Sequence, residues 1–175
     1  MIPEEYNELT LQFKGDYNLI FRAYNQGVAY RFASTGKEGI TVKNEEVRLN
    51  FTSDHQTLVP YVKNYDASDQ SKQFYNSFEN TYTSARLNQL NPQRFIFLPL
   101  LVELNDGKKL VFTEADLESY PGLYMASSTG KNSLNGVFAP YPKNTIQGGH
   151  NMLQQLVTER EDFIAQVKAG ASLPW

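Results

Sequence analysis

Apolar and polar residues alternate through much of the chain, with the period of a β-strand. Leu9-Thr10-Leu11-Gln12-Phe13 puts every second side chain on one face, as a half-buried strand does. Lys14-Gly15-Asp16 turns the chain, and Tyr17 to Tyr24 alternates again, with Leu19, Phe21 and Ala23 on one face and Ile20, Arg22 and Tyr24 on the other. Asn25-Gln26-Gly27 suits a tight turn before Val28 to Ala33, so residues 17–33 predict a hairpin. Ile40 to Val42 and Val47 to Phe51 read as strands separated by a turn or bulge. Thr57 to Val62 predicts a short strand, placed at a sheet edge because Pro60 has no N–H to give a ladder. Residues 63–80 are polar with scattered aromatics (Tyr65, Phe74, Tyr75, Phe78) and predict a long loop; Asn80 to Leu87 alternates once more.

Phe95 to Leu104 is the most apolar run, too short to span a bilayer, and predicts one central strand with Pro99 at a bulge or kink. Asn105-Asp106-Gly107 is the strongest hairpin signal, and Lys109 to Phe112 is its second strand. Leu123 to Ala126 and Leu134 to Tyr141 read as strands, and 143–150 as loop. Residues 152–168 carry both a 3.6-residue apolar period and a strand-like Phe163-Ile164-Ala165; strand is favoured because the rest of the pattern is all-β.

Composition agrees. The 175 residues, 41% hydrophobic and 20% charged, can build a core, and 11 Tyr and 11 Phe lean toward strands. A net charge of -3 without a basic cluster argues against a nucleic-acid partner. The absence of cysteine excludes disulfides, thiolate zinc sites and cysteine nucleophiles. The acidic start, Met1 to Tyr6, is no signal peptide. Only two histidines occur, His55 and His150, in separate polar loops, and no nucleophile elbow, P-loop or dinucleotide fingerprint is present, so no catalytic residue is assigned. Arg22 and Arg31 sit inside the hairpin, where an arginine pairs with a carboxylate or lies along aromatic rings; the alternative is a carboxylate or substrate clamp.

Carboxylate chemistry remains. Glu114, Asp116 and Glu118 follow the strand that ends at Phe112, ahead of the break Ser119-Tyr120-Pro121-Gly122. A solvated acidic loop is the plain reading. If the strand continues, all three carboxylates share a face and attract a hard cation such as calcium; if the backbone turns helical, Glu114 and Glu118 share one instead. Glu114, nearest the strand end, is the favoured ligand, Asp116 caps a turn, and Ala115 and Leu117 are packing residues.

Four phrases in this order resemble the N-terminal domain of glycoside hydrolase family 97. They are Tyr6-Asn7-Glu8-Leu9; Ile20-Phe21-Arg22-Ala23-Tyr24 through Gly27-Val28-Ala29-Tyr30-Arg31-Phe32; Thr113-Glu114-Ala115-Asp116-Leu117 through Tyr120-Pro121-Gly122; and Leu173-Pro174-Trp175. The resemblance runs nearly end to end. It implies an antiparallel β-sandwich, part of a galactose-mutarotase-like β-super-sandwich, in an α-glucosidase or α-galactosidase acting on oligosaccharides. In such an enzyme this domain packs on a catalytic (β/α)8 barrel and lends one glutamate, matched here by Glu114, to an active-site calcium. A periplasmic or secreted parent is implied as well.

The barrel with its catalytic acids, and the first strands of the domain, have no counterpart in the chain. Residues 1–175 are therefore expected to be a single-domain fragment of a longer glycosidase. Alone, the fragment is expected to be inactive, to bind calcium weakly and to self-associate through exposed apolar surface. The rival reading is a free-standing carbohydrate-binding module with Tyr or Trp side chains as sugar platforms.

Overall fold

The computed structural model describes residues 4–63, 65–76, 79–128 and 131–175. Met1 to Pro3 and Phe78, which entered the readings above, lie outside them. The fold is an all-β, antiparallel sandwich. The chain forms two compact units, one of residues 1–43, 115–121 and 140–175, the other of 44–114 and 122–139.

In the first unit, β1 (Asn7–Gln12), β2 (Tyr17–Tyr24) and β3 (Gly27–Ser34) form an antiparallel sheet in that order. Leu9 lies opposite Phe21 and Leu11 opposite Leu19. Leu19 in turn lies opposite Phe32, and Phe21 opposite Tyr30. One face therefore carries the apolar residues and the other carries Glu8, Arg22 and Arg31. The outer edge of β3 is taken up by the end of the chain: the Leu173 N–H donates to the Phe32 carbonyl at 2.9 Å and the Ser34 N–H to the Ala171 carbonyl at 2.9 Å. Among the described residues no strand pairs with the other edge of β1. The same unit contains the pair β4 (Ile40–Val42) with β14 (Ala165–Val167), and the hairpin β12 (Pro142–Gly148) with β13 (Gln154–Arg160). Its buried apolar side chains include Ile164, Ala165, Val167 and Leu173.

The second unit is built on a four-stranded sheet ordered β7 (Thr83–Arg86), β6 (Gln56–Val59), β8 (Leu100–Glu103) and β9 (Lys109–Phe112). A second sheet is ordered β10 (Leu123–Ser127), β11 (Ser133–Phe138) and β5 (Arg48–Asn50). Ile96 bridges Tyr61 on one side and Met125 on the other. Val59, Val62, Ile96, Val102, Met125 and Leu134 are wholly buried, and Phe74 and Tyr124 pack against Phe95. The 3-10 turn Gln70–Phe74 delivers Gln73 into this core. There its amide donates to the Gln93 carbonyl at 2.7 Å and accepts from the Phe95 N–H at 2.8 Å, so the buried polar group is satisfied.

The structure corrects several expected elements. β6 is central rather than at an edge, because Pro60 falls one residue beyond its end. The apolar run from Phe95 is broken at the cis Leu98–Pro99 bond, and only Leu100–Glu103 belongs to the sheet. The segment expected as loop at 143–150 is mostly strand β12. Its exposed side chains provide no apolar alternation to read. Residues 152–168 hold strands, as favoured, and the helical period is not realised.

Candidate functional site

Glu114 lies two residues past the end of β9, which is paired to the buried strand β8. The Asn105-Asp106-Gly107 turn sets this up: Gly107 takes φ +79°, and the Leu104 N–H closes the hairpin on the Lys108 carbonyl at 2.8 Å. The Glu114 side chain is half-buried. Both of its oxygens accept from a single donor, the Leu123 N–H at the start of β10, at 3.2 and 3.1 Å. Burial pushes its carboxyl above the usual range; the Leu123 N–H opposes this, and the negative charge of Glu45 adds to it. An ionised Glu114 is therefore a partly desolvated anion with unused acceptor capacity, an arrangement that a cation would stabilise.

The neighbouring carboxylates do not join it in a strand or a helix. Asp116 takes φ +59° and Ser119 φ +54°, which ends any extended run, and the Glu118 N–H donates to the Asp116 backbone carbonyl at 2.9 Å. Asp116 and Glu118 are exposed. The residues expected to pack are exposed too: Leu117 is 45% accessible, and Ala115 instead uses its backbone, exchanging hydrogen bonds of 3.0 and 2.9 Å with Trp175. Among the described residues no three His, Asp or Glu side chains form a group able to hold a metal ion. One carboxylate supplies at most two of the roughly six to eight oxygens that calcium takes. Glu114 thus fits the part of one ligand in a set completed from elsewhere.

Sequence reasoning located Glu114 from its place after a strand but missed its partner, because the contact depends on how Ser119 to Gly122 returns the chain. His55 sits in the expected loop but is buried there. It is 6% exposed, lies edge-on to Phe51 with ring centroids 5.8 Å apart, and leaves Nδ1 without a hydrogen-bond partner among the described residues. His55 and His150 belong to different units.

Both hairpin arginines lie along aromatic rings, and Arg22 also pairs with a carboxylate. Arg22 Nε donates to Glu8 Oε2 at 2.9 Å, and the guanidinium lies 4.3 Å from the Tyr6 ring centroid and 4.4 Å from that of Trp175. Arg31 lies over the same indole at 4.2 Å. Trp175, the one tryptophan, is therefore engaged by two cations and is not an open sugar platform.

A family model described as "Glycosyl-hydrolase 97 N-terminal" matches residues 1–175. The chain belongs to glycoside hydrolase family 97. Across 99% of its length it is 54% identical to a protein named "Retaining alpha-galactosidase" from Bacteroides thetaiotaomicron, of which it covers 26%. The chain thus spans about a quarter of that relative and corresponds to the N-terminal domain of a larger family 97 enzyme. The fold agrees with solved family 97 structures. One, from Pseudoalteromonas sp. strain K8 and in complex with acarbose, superimposes with a TM-score of 0.65 at 16% identity, covering 98% of this chain and 23% of that one. A structure described as a beta-arabinopyranosidase gives 0.65 at 20% identity, over 99% of this chain and 27% of its own. Among the described residues no helix is long and apolar enough to cross a membrane.

Proposed function

We propose that this family 97 domain is the accessory part of a calcium-dependent α-glycosidase acting on α-galactosidic bonds of oligosaccharides. It packs on a catalytic (β/α)8 barrel of the same polypeptide and lends Glu114 to a calcium ion completed by barrel carboxylates. The galactosidase reading is carried by the 54% identity to the named α-galactosidase over nearly the whole chain. The role of Glu114 is supported by its half-buried carboxylate, which among the described residues holds the Leu123 N–H as its hydrogen-bond donor and is raised in pKa by burial. Calcium would supply positive charge at the sugar. What the chain itself supplies is the position of one carboxylate, fixed by β9 on one side and by the Leu123 N–H on the other. Periplasmic or secreted placement of the parent belongs to the same proposal.

The test is the full-length enzyme with Glu114→Gln. Calcium affinity, followed by titration into the chelator-stripped enzyme, is expected to fall at least about tenfold, with α-galactosidase activity recovered only at higher calcium. Unchanged affinity and activity would remove Glu114 from the site. Hydrolysis of an aryl α-glucoside in preference to the α-galactoside would replace the substrate assignment. Saturable sugar binding by residues 1–175 alone would favour the carbohydrate-binding module.

A further inference from the structure

Trp175 joins the hairpin arginines to the residue that follows Glu114. The β8–β9 ladder ends where Phe112 lies opposite Leu100, two residues short of Glu114. The backbone is taken up again one residue beyond it. The Ala115 N–H donates to the Trp175 carbonyl at 3.0 Å, and the Trp175 N–H donates to the Ala115 carbonyl at 2.9 Å, the two-way exchange of an antiparallel pair. The Ala115 N–H lies in one rigid peptide plane with the Glu114 carbonyl and the Glu114 Cα. Holding that N–H therefore sets the direction in which the Glu114 side chain leaves the chain. Just past this pair the backbone swings away, with Asp116 at φ +59°.

Trp175 is itself anchored. The Leu173 N–H donates to the Phe32 carbonyl at 2.9 Å, and the indole lies 4.4 Å from the Arg22 guanidinium and 4.2 Å from that of Arg31. Arg22 is fixed in turn by Glu8 Oε2 at 2.9 Å. Arg31 buries its Nε without a hydrogen-bond partner among the described residues, so the indole face is what holds its charge in place. Ala115, Trp175 and both arginines belong to the first unit. We infer that Trp175 is a positioning residue for Glu114: the two cations fix the indole, the indole fixes the Trp175 backbone, and that backbone fixes the peptide from which Glu114 extends. The inference rests on Glu114 being a calcium ligand. A ligand held loosely must be ordered when the ion binds, and that cost is subtracted from affinity.

A double-mutant cycle on calcium affinity tests this, by titrating calcium alone into the chelator-stripped full-length enzyme. Trp175→Ala is expected to weaken calcium binding about tenfold while circular dichroism stays that of the parent. Trp175→Phe, which keeps a ring under the guanidinium groups, should recover most of the loss. With Glu114→Gln already in place, Trp175→Ala should cost no further affinity, because the group it positions is gone. An equal loss in both backgrounds would show Trp175 acting on the fold at large and would overturn the inference. If Glu114→Gln weakens binding and Trp175→Ala does not, the inference fails and the reading of Glu114 stands. If Glu114→Gln itself leaves affinity unchanged, both fall. Should Trp175→Ala not fold, Arg31→Gln carries the same cycle. It is expected to lower affinity severalfold, again only where Glu114 is present, and an unchanged affinity overturns the inference.

Discussion

Glu114 costs the fold stability in order to be where it is. Its carboxyl is raised in the folded state by burial, so the native chain holds that proton more tightly than the unfolded one. Stability is lost as pH rises from the ordinary carboxylate range through the raised value, and it stays lost at neutral pH. Glu114→Gln cannot ionise and still accepts from the Leu123 N–H. It is expected to raise the neutral-pH Tm by roughly 2 °C, with the gain vanishing below about pH 4. A melting series against pH decides this, and a variant less stable than wild type at pH 7 would contradict the desolvation argument. Trp175 is a different case, a side chain that stabilises. Each guanidinium over its ring contributes about 1 kcal/mol, and the indole covers sheet surface besides. Trp175→Ala should lower stability by about 2 kcal/mol, read in urea as a lower midpoint at nearly unchanged slope. Loss of less than a few tenths would mean that the stack is incidental.

At the scale of strands, the second unit is sensitive where β11 crosses β5 and β10. A Cβ added at Gly136 would lie 2.7 Å from Val47 Cβ and 3.0 Å from Leu123 Cδ1, while the Gly136 N–H is held by the Val47 carbonyl at 2.8 Å. Valine is stiff and close to its own backbone, so the strands must part. Gly136→Ala is expected to cost about 2 kcal/mol, measured by chemical denaturation. The elements that were legible share one property, a pattern written locally. The β2–β3 hairpin follows from alternation flanking Asn25-Gln26-Gly27, and β8–β9 from Asn105-Asp106-Gly107. What escaped depends on distant partners. β6 is central because β7 and β8 find both its sides. β12 is exposed from Pro142 to Gln147, so burial stamps no alternation on it. The candidate site divides in the same way, Glu114 readable from its place after a strand and the Leu123 N–H readable only from the fold.

For the whole chain, the family membership sets what one domain can do. It covers about a quarter of the α-galactosidase it resembles and holds no group of three candidate ligands among its described residues. Residues 1–175 alone are therefore expected to release no product from an aryl α-galactoside, with or without calcium; measurable turnover would place catalytic acids here. The hairpin between β12 and β13 has a consequence of another kind. At its tip Gly149, Asn151 and Met152 all have positive φ, and Met152 and Leu153 are 59% and 80% exposed. A protease with a taste for large apolar residues would cut there first. The piece released, from Gln154 onward, is tied to the remainder by β12, by β4 and by the edge of β3. The break would thus leave two chains that travel as one through a sizing column and part only in denaturant, a natural place to divide this polypeptide and let its halves find each other again.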